Sequence, residues 1–260
     1  MKLIFFDIDG TLIPDEKGII PESAKEAIRK ARANGHICMI NTGRTKCMVS
    51  EEFQKQVEFD GYLFGCGTMT YYHGEELFHK TFPMEQSQRI MAGLQRYGID
   101  AVLEGSEDDY CDSMENMYSD YFRNYIENFR TFHFDTYTNA PGKYDKMYAY
   151  VEMPENMQNF KKEFDAELDF IDREHGFYEI VPAGCSKAVA MEQMAKLLKI
   201  PMEDTVAIGD SNNDLSMLKC AGCSIAMGNS TQNILDIADY VTTDVDKDGI
   251  WNALKWLEVI

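Results

Sequence analysis

Two acids close an apolar strand at the start of the chain, where Leu3-Ile4-Phe5-Phe6 runs into Asp7-Ile8-Asp9-Gly10-Thr11. An apolar run without a polar interruption predicts a strand buried on both faces, the kind found in parallel sheets whose crossovers are helices. Side chains alternate along extended backbone, so Asp7 and Asp9, two apart, point the same way. A carboxylate at the mouth of such a strand is costly unless a cation or a reaction uses it. Open α/β sheets bind their ligands beyond the carboxyl ends of their strands. The segment therefore predicts an α/β fold with a working pair of carboxylates, one available as a nucleophile and the other for handling a proton.

The second half of the chain repeats the design. Thr205-Val206-Ala207-Ile208-Gly209 reads as another buried strand and ends in Asp210, and Asp214 falls in the first turn of a helix expected over 213–220, where the helix dipole favours a negative charge. Ile40-Asn41-Thr42-Gly43-Arg44 is again a strand end, and Cys185-Ser186-Lys187 a helix start with Ser186 as its N-cap. Acids suit Mg²⁺, whereas a hydroxyl, a backbone N–H and a lysine suit a phosphoryl group.

Asp-x-Asp-Gly-Thr, Thr-Gly-Arg, a lone Lys and Gly-Asp-x-x-Asn-Asp, in this order, resemble the haloacid dehalogenase superfamily of phosphohydrolases. The ending narrows the likeness: Ala226-Met227-Gly228-Asn229, Ala238-Asp239-Tyr240-Val241-Thr242 and Asp248-Gly249-Ile250 resemble the Cof-type branch, whose members include sugar phosphatases with the larger, class IIB cap. The likeness covers both ends of the chain, about residues 1–82 and 178–260. It implies a doubly wound, Rossmann-like parallel-sheet core built from residues 1–82 and 182–260, with an α+β cap inserted at 83–181.

The reading along the chain agrees with that plan. Pro21 and Gly35 bracket a helix over 22–34, strands follow at 36–41 and 62–64, and helical periodicity runs over 46–57. His73-Gly74 reads as a hairpin turn with His79 on the return strand. The middle carries helix patterns at 85–97, 113–128 and 155–166, strand patterns at 100–103 and 146–152, and a strand pair at 169–171 and 177–181. Pro83 and Pro182 stand where the cap would join the core.

Composition bounds the partners. With 25 Lys and Arg against 44 Asp and Glu, the 260-residue chain has a net charge of −19, which argues against a nucleic-acid partner, whose phosphates need clustered cations. An anionic metabolite remains compatible, because Mg²⁺ and a lysine reverse the local field. The apolar start is too short for a signal peptide or a membrane span. The seven cysteines, an odd number scattered through core-like segments, read as reduced thiols of a cytoplasmic enzyme. Cys220 and Cys223 are spaced like a redox or zinc pair, but lie where a helix ends and a strand begins, so packing is the expected role.

The resemblance implies a Mg²⁺-dependent phosphatase of small phosphorylated metabolites, sugar phosphates above all, working through an aspartyl-phosphate. Asp7 is then the nucleophile. Asp9 protonates the leaving oxygen and later takes a proton from water. The metal set is Asp7, the backbone carbonyl of Asp9, Asp210 and Asp214. Thr42, Gly43 and Lys187 hold the phosphoryl group, and Asn213 contacts it or orients Asp214. Asn229 and Asp248 read as loop structure near the site, and Arg44 stands between phosphate contact, cap contact and salt bridge. The acid- and tyrosine-rich stretch 104–121 is either a substrate loop or a solvated lead into a helix.

The chain departs from the family pattern at Asn41, where Ala is more usual, at Cys66-Gly67 in place of Asn-Gly, and at Ala188 in place of Gly. None removes a catalytic group. A phosphomutase of the same fold would need a second phosphate cluster on the cap, and Arg123, Arg130 and Arg173 do not form one by their spacing. A non-catalytic binding protein is disfavoured by the intact Asp7, Asp9, Lys187 and Asp210.

Overall fold

The computed structural model describes residues 1–14, 18–128 and 134–260, which divide into two compact units, one of residues 1–44, 48–78 and 186–260, the other of 45–47 and 79–185. The first unit begins with β1 (Leu3–Phe6), α1 (Glu22–Ala33), β2 (Ile37–Asn41), α2 (Glu51–Gln54), β3 (Gly61–Phe64), β4 (Met69–Tyr72) and β5 (Glu75–His79). All four residues of β1 are buried, and it pairs in parallel with β2, Phe6 opposite Ile40. In α1, Ala24, Ala27, Ile28 and Ala31 form the buried stripe that a helix lays on a sheet. His73-Gly74 does turn the chain from β4 into β5. The continuous helix expected over 46–57 is instead a short 3₁₀ turn at 46–48 followed by α2. The break comes at Ser50, whose hydroxyl accepts the Phe53 N–H and so caps a new helix.

The second unit contains α3 (Met84–Arg96), β6 (Asp100–Glu104), β7 (Asp109–Cys111), α4 (Asp120–Asn128), β8 (Phe134–Thr136), β9 (Lys146–Tyr150), α5 (Pro154–Phe164), β10 (Leu168–Asp172) and β11 (Phe177–Pro182). Its sheet has the order β10-β11-β9-β6-β7-β8. One face buries Leu103, Met147, Ala149 and Ile180 against Ile90 and Leu94 of α3 and Phe160 and Phe164 of α5. The other packs Val102, Tyr148 and Phe177 against Phe122 and Ile126 of α4. The helix expected over 113–128 begins only at Asp120. Asp100 draws the preceding backbone away by accepting the N–H groups of Tyr118 and Ser119, and the Ser119 hydroxyl then caps α4 by accepting the Tyr121 and Phe122 N–H groups. Of the 104–121 stretch, Asp109 and Tyr110 are buried while Tyr118 and Tyr121 are exposed. Arg130 lies outside the described residues.

The chain then completes the first unit with α6 (Lys187–Leu198), β12 (Thr205–Gly209), α7 (Leu215–Cys220), β13 (Cys223–Ala226), α8 (Gln232–Leu235), β14 (Tyr240–Val241) and α9 (Gly249–Trp256). Among the described residues its sheet has the order β14-β13-β12-β1-β2-β3-β4-β5, parallel from β14 to β3. Strand order therefore runs in opposite directions on the two sides of β1, which creates the crevice in which such sheets bind ligands. Cys220 and Cys223 are free thiols, at the end of α7 and the start of β13. Among the described residues no helix is long and apolar enough to cross a membrane.

Candidate active site

Three neighbouring strands, β12, β1 and β2, deliver their carboxyl ends to one place. Asp7 follows β1 directly, its N–H still bonded to Ile208 O of β12 at 3.0 Å. The chain then turns sharply, Leu12 and Ile13 both donating their N–H groups to Ile8 O. Gly10 is in the left-handed region, with φ +74°, and a Cβ there would lie 2.4 Å from an Asp210 carboxylate oxygen. Only glycine lets the β1 loop approach Asp210 so closely. Thr11 contributes from the same loop, its hydroxyl donating to Asp210 Oδ1 at 3.0 Å.

The loop after β12 is folded by its own acid. The helix expected over 213–220 is in fact a 3₁₀ turn at 212–214 leading into α7, and Ser211 and Asp214 form a capping box around that turn. Asp214 Oδ2 accepts the Asp210 and Ser211 N–H groups at 3.0 and 3.1 Å. This leaves Oδ1 for Lys187, whose ammonium donates to it at 2.5 Å and to Asp7 Oδ1 at 2.7 Å. Lys187 has no exposed surface. Ser186 holds the start of α6, its hydroxyl accepting the Val189 N–H as expected. Asn213 is buried, and its Oδ1 accepts the Ser211 hydroxyl at 2.9 Å.

Asp7, Asp210 and Asp214 each offer a carboxylate oxygen within 4.8 Å of the others. Three carboxylates face one ammonium, and burial together with the excess negative charge shows in the titration of Asp7 and Asp210. Burial, and then the charge of Asp214, push Asp7 up to about 7 against the pull of Lys187. Burial with Asp214 and Asp7 pushes Asp210 up to about 8. Burial opposes the charged form of Lys187, but Asp214 and Asp7 outweigh it and hold the ammonium above its ordinary range. An all-oxygen set with uncompensated negative charge is the chemistry that accepts a hard divalent cation.

The remaining predicted residues take other positions. Asp9 is turned to solvent, 57% exposed, and Arg44 grips both its oxygens, Nε to Oδ2 at 2.9 Å and Nη2 to Oδ1 at 2.5 Å. Its side chain is not part of the three-carboxylate group, and Arg44 forms the salt bridge among its three expected alternatives. Thr42 is buried at the end of β2, with its N–H on Leu63 O and its hydroxyl accepting the Arg44 N–H at 3.1 Å; Gly43 is partly exposed beside it. Asn229 donates to Gly10 O at 2.8 Å and accepts the Val245 N–H, tying the loop after β13 to the β1 loop.

Two contributors were missed in the sequence. Thr11 stands within the first motif without an assigned role, and nothing in its spacing points to Asp210. Ser211 was legible, because Ser-x-x-Asp is a capping-box pattern.

Comparison with known proteins places the chain in a family. The profile of the haloacid dehalogenase-like hydrolase family matches residues 4–254. The putative phosphatase YkrA of Bacillus subtilis is 28% identical, covering 100% of this chain and 98% of its own length. The 5-amino-6-(5-phospho-D-ribitylamino)uracil phosphatase YitU of the same organism is 27% identical over 97% of this chain and 96% of its own. Among solved structures, the HAD subclass IIB sugar phosphatase BT4131 superposes with a TM-score of 0.84 at 25% identity, covering 100% of both chains. The chain belongs to the haloacid dehalogenase-like hydrolase family and is a phosphoric monoester hydrolase.

Proposed function

We propose that the enzyme is a Mg²⁺-dependent phosphatase of small phosphorylated metabolites, sugar or sugar-alcohol phosphates foremost, and that it works through an aspartyl-phosphate on Asp7. The observation that carries this reading is the convergence of Asp7, Asp210 and Asp214 on one point beside the buried ammonium of Lys187. Asp7, Asp210 and Asp214, with the backbone carbonyl of Asp9, would hold the cation. When bound, it supplies positive charge that lets an anionic nucleophile approach an anionic phosphoryl group.

Phosphate-monoester hydrolysis needs up to ~10²¹-fold acceleration, more than one group provides. The Asp7 carboxylate oxygen attacks phosphorus in line and the bond to the leaving oxygen breaks, splitting one hard displacement into two easier ones. Asp9 gives a proton to the leaving oxygen. It then takes one from the water that attacks the phosphoryl group and frees Asp7. Because Arg44 occupies both oxygens of Asp9, the pair opens before Asp9 handles either proton. The Thr42 hydroxyl and the Gly43 N–H bind phosphoryl oxygens, Lys187 stabilises the charge that develops on them, and Asn213 orients the Asp214 turn.

The inserted segment 83–181 selects the leaving group, which is the role a cap has in this scheme. Support for the substrate class comes from the relatives: BT4131 is named a sugar phosphatase, and the YitU substrate carries its phosphate on a ribityl chain. The test is phosphate release from a panel of sugar, sugar-alcohol, nucleotide and aryl phosphates, with Mg²⁺ and with EDTA. The proposal expects release with Mg²⁺ only, fastest among sugar and sugar-alcohol phosphates. Activity indifferent to EDTA would remove the metal from the reading, and a preference for nucleotides would remove the substrate class.

A further inference from the structure

Asn41 is the last residue of β2 and has no exposed surface. Its Nδ2 donates to the main-chain carbonyl of Lys187 at 2.9 Å, and its Oδ1 is buried with no hydrogen-bond partner. The orientation of the amide follows from chemistry: a carbonyl only accepts, so the NH₂ group must face Lys187, and the oxygen is left over. Lys187 O lies in the first turn of α6, where a helix already supplies a donor from four residues on. The bond from Asn41 is therefore additional, and it leaves a buried acceptor unpaired, an arrangement that folding alone disfavours.

The place where that bond acts explains its presence. Lys187 is both the residue whose carbonyl Asn41 grips and the residue whose ammonium spans Asp7 and Asp214. The same turn of helix is held from the loop after β3, where a Cβ on Gly67, at φ +89°, would stand 2.5 Å from Ser186 O and 3.0 Å from the Ala190 Cβ. Close packing at Gly67 limits movement toward that loop, and the Asn41 amide pulls the helix start toward the end of β2. Thr42, the next residue after Asn41, then belongs to the same rigid piece as Lys187.

We propose that Asn41 is a positioning residue for Lys187, fixing through its side-chain amide the main chain from which the Lys187 ammonium reaches the phosphoryl site. This inference rests on the reading of Lys187 as a phosphoryl-binding group, and its test separates the two. Inorganic phosphate is titrated calorimetrically, with Mg²⁺ present, into the full-length wild-type enzyme, Asn41→Ala, Lys187→Met and the double variant. Asn41→Ala is expected to weaken phosphate binding by between about tenfold and a hundredfold, the range for loss of a hydrogen bond to a charged group. It should leave Tm within roughly 4 °C of wild type. In the Lys187→Met background it should add nothing.

Equal weakening in both backgrounds would make Asn41 a general structural residue and overturn the inference alone. Wild-type affinity in Asn41→Ala would overturn it as well. Wild-type affinity in Lys187→Met would overturn the Lys187 reading first and this inference with it. Should Asn41→Ala not fold, Asn41→Leu keeps the branched shape, drops both polar atoms and carries the same expectations.

Discussion

At the scale of single residues, the two acids of the first motif have been given opposite surroundings. Asp7 is buried beside Asp214 and Lys187, while Asp9, two residues on, is exposed and paired with Arg44. The shared direction expected from strand alternation fails because β1 ends at Phe6 and the chain turns at Ile8, so the two are not on one strand. Such a division of environment gives like residues different tasks. Because the Asp9 side chain stands outside the carboxylate group, Asp9→Asn should keep its affinity for Mg²⁺, measured by calorimetry. Turnover should fall by about 10²–10⁴-fold, the range of general acid–base catalysis. Loss of the metal with the mutation would make the Asp9 carboxylate a ligand and refute the division of labour.

At the scale of elements, the regular parts were legible and the irregular ones were not. The buried run of β1 and the Ala24-Ala27-Ile28-Ala31 stripe of α1 carry their own period. The segments 46–57 and 113–128 have helical periodicity too, yet each is cut by a serine whose hydroxyl competes for backbone N–H groups. Periodicity registers which face is apolar, whereas the start of a helix is decided by local hydrogen bonds that compete with it. Ser119 is the sharper case, for its hydroxyl also donates to Glu152 at 2.7 Å. Ser119→Ala should cost about 1–2 kcal/mol of stability, as loss of an N-cap does, read as a lower midpoint in urea. An unchanged midpoint would mean that α4 is held by the packing of Phe122 and Ile126 without help from its cap.

At the scale of the whole molecule, a net charge of −19 has to be accommodated, and part of it is buried in each unit. In the second unit Glu104 faces Lys146 on one neighbouring strand and Asp109 on the other, and Lys146 also reaches Glu179 at 3.2 Å. Burial, and then the charge of Glu104, push Asp109 up to about 7. The folded state thus holds this proton more tightly than the unfolded chain, whose Asp releases it near pH 4. Stability from this source is complete below about pH 4, declines as pH rises toward 7 and stays lost above it, by on the order of a few kcal/mol. Asp109→Asn keeps an acceptor for the Gly105 N–H and removes the titration, so its unfolding free energy should fall less than that of wild type between pH 4 and pH 8. Parallel profiles would show that Asp109 is ionised throughout. In the first unit the corresponding excess charge lies at the carboxyl ends of β1 and β12, where Asp7 is the proposed nucleophile. The most direct test is to quench turnover with acid on the millisecond scale and weigh the peptide that contains Asp7. A peptide heavier by one phosphoryl group, present with Mg²⁺ and substrate and absent after EDTA or in Asp7→Asn, is the predicted result. An unmodified peptide at every quench time, together with turnover by Asp7→Asn at the wild-type rate, would contradict it.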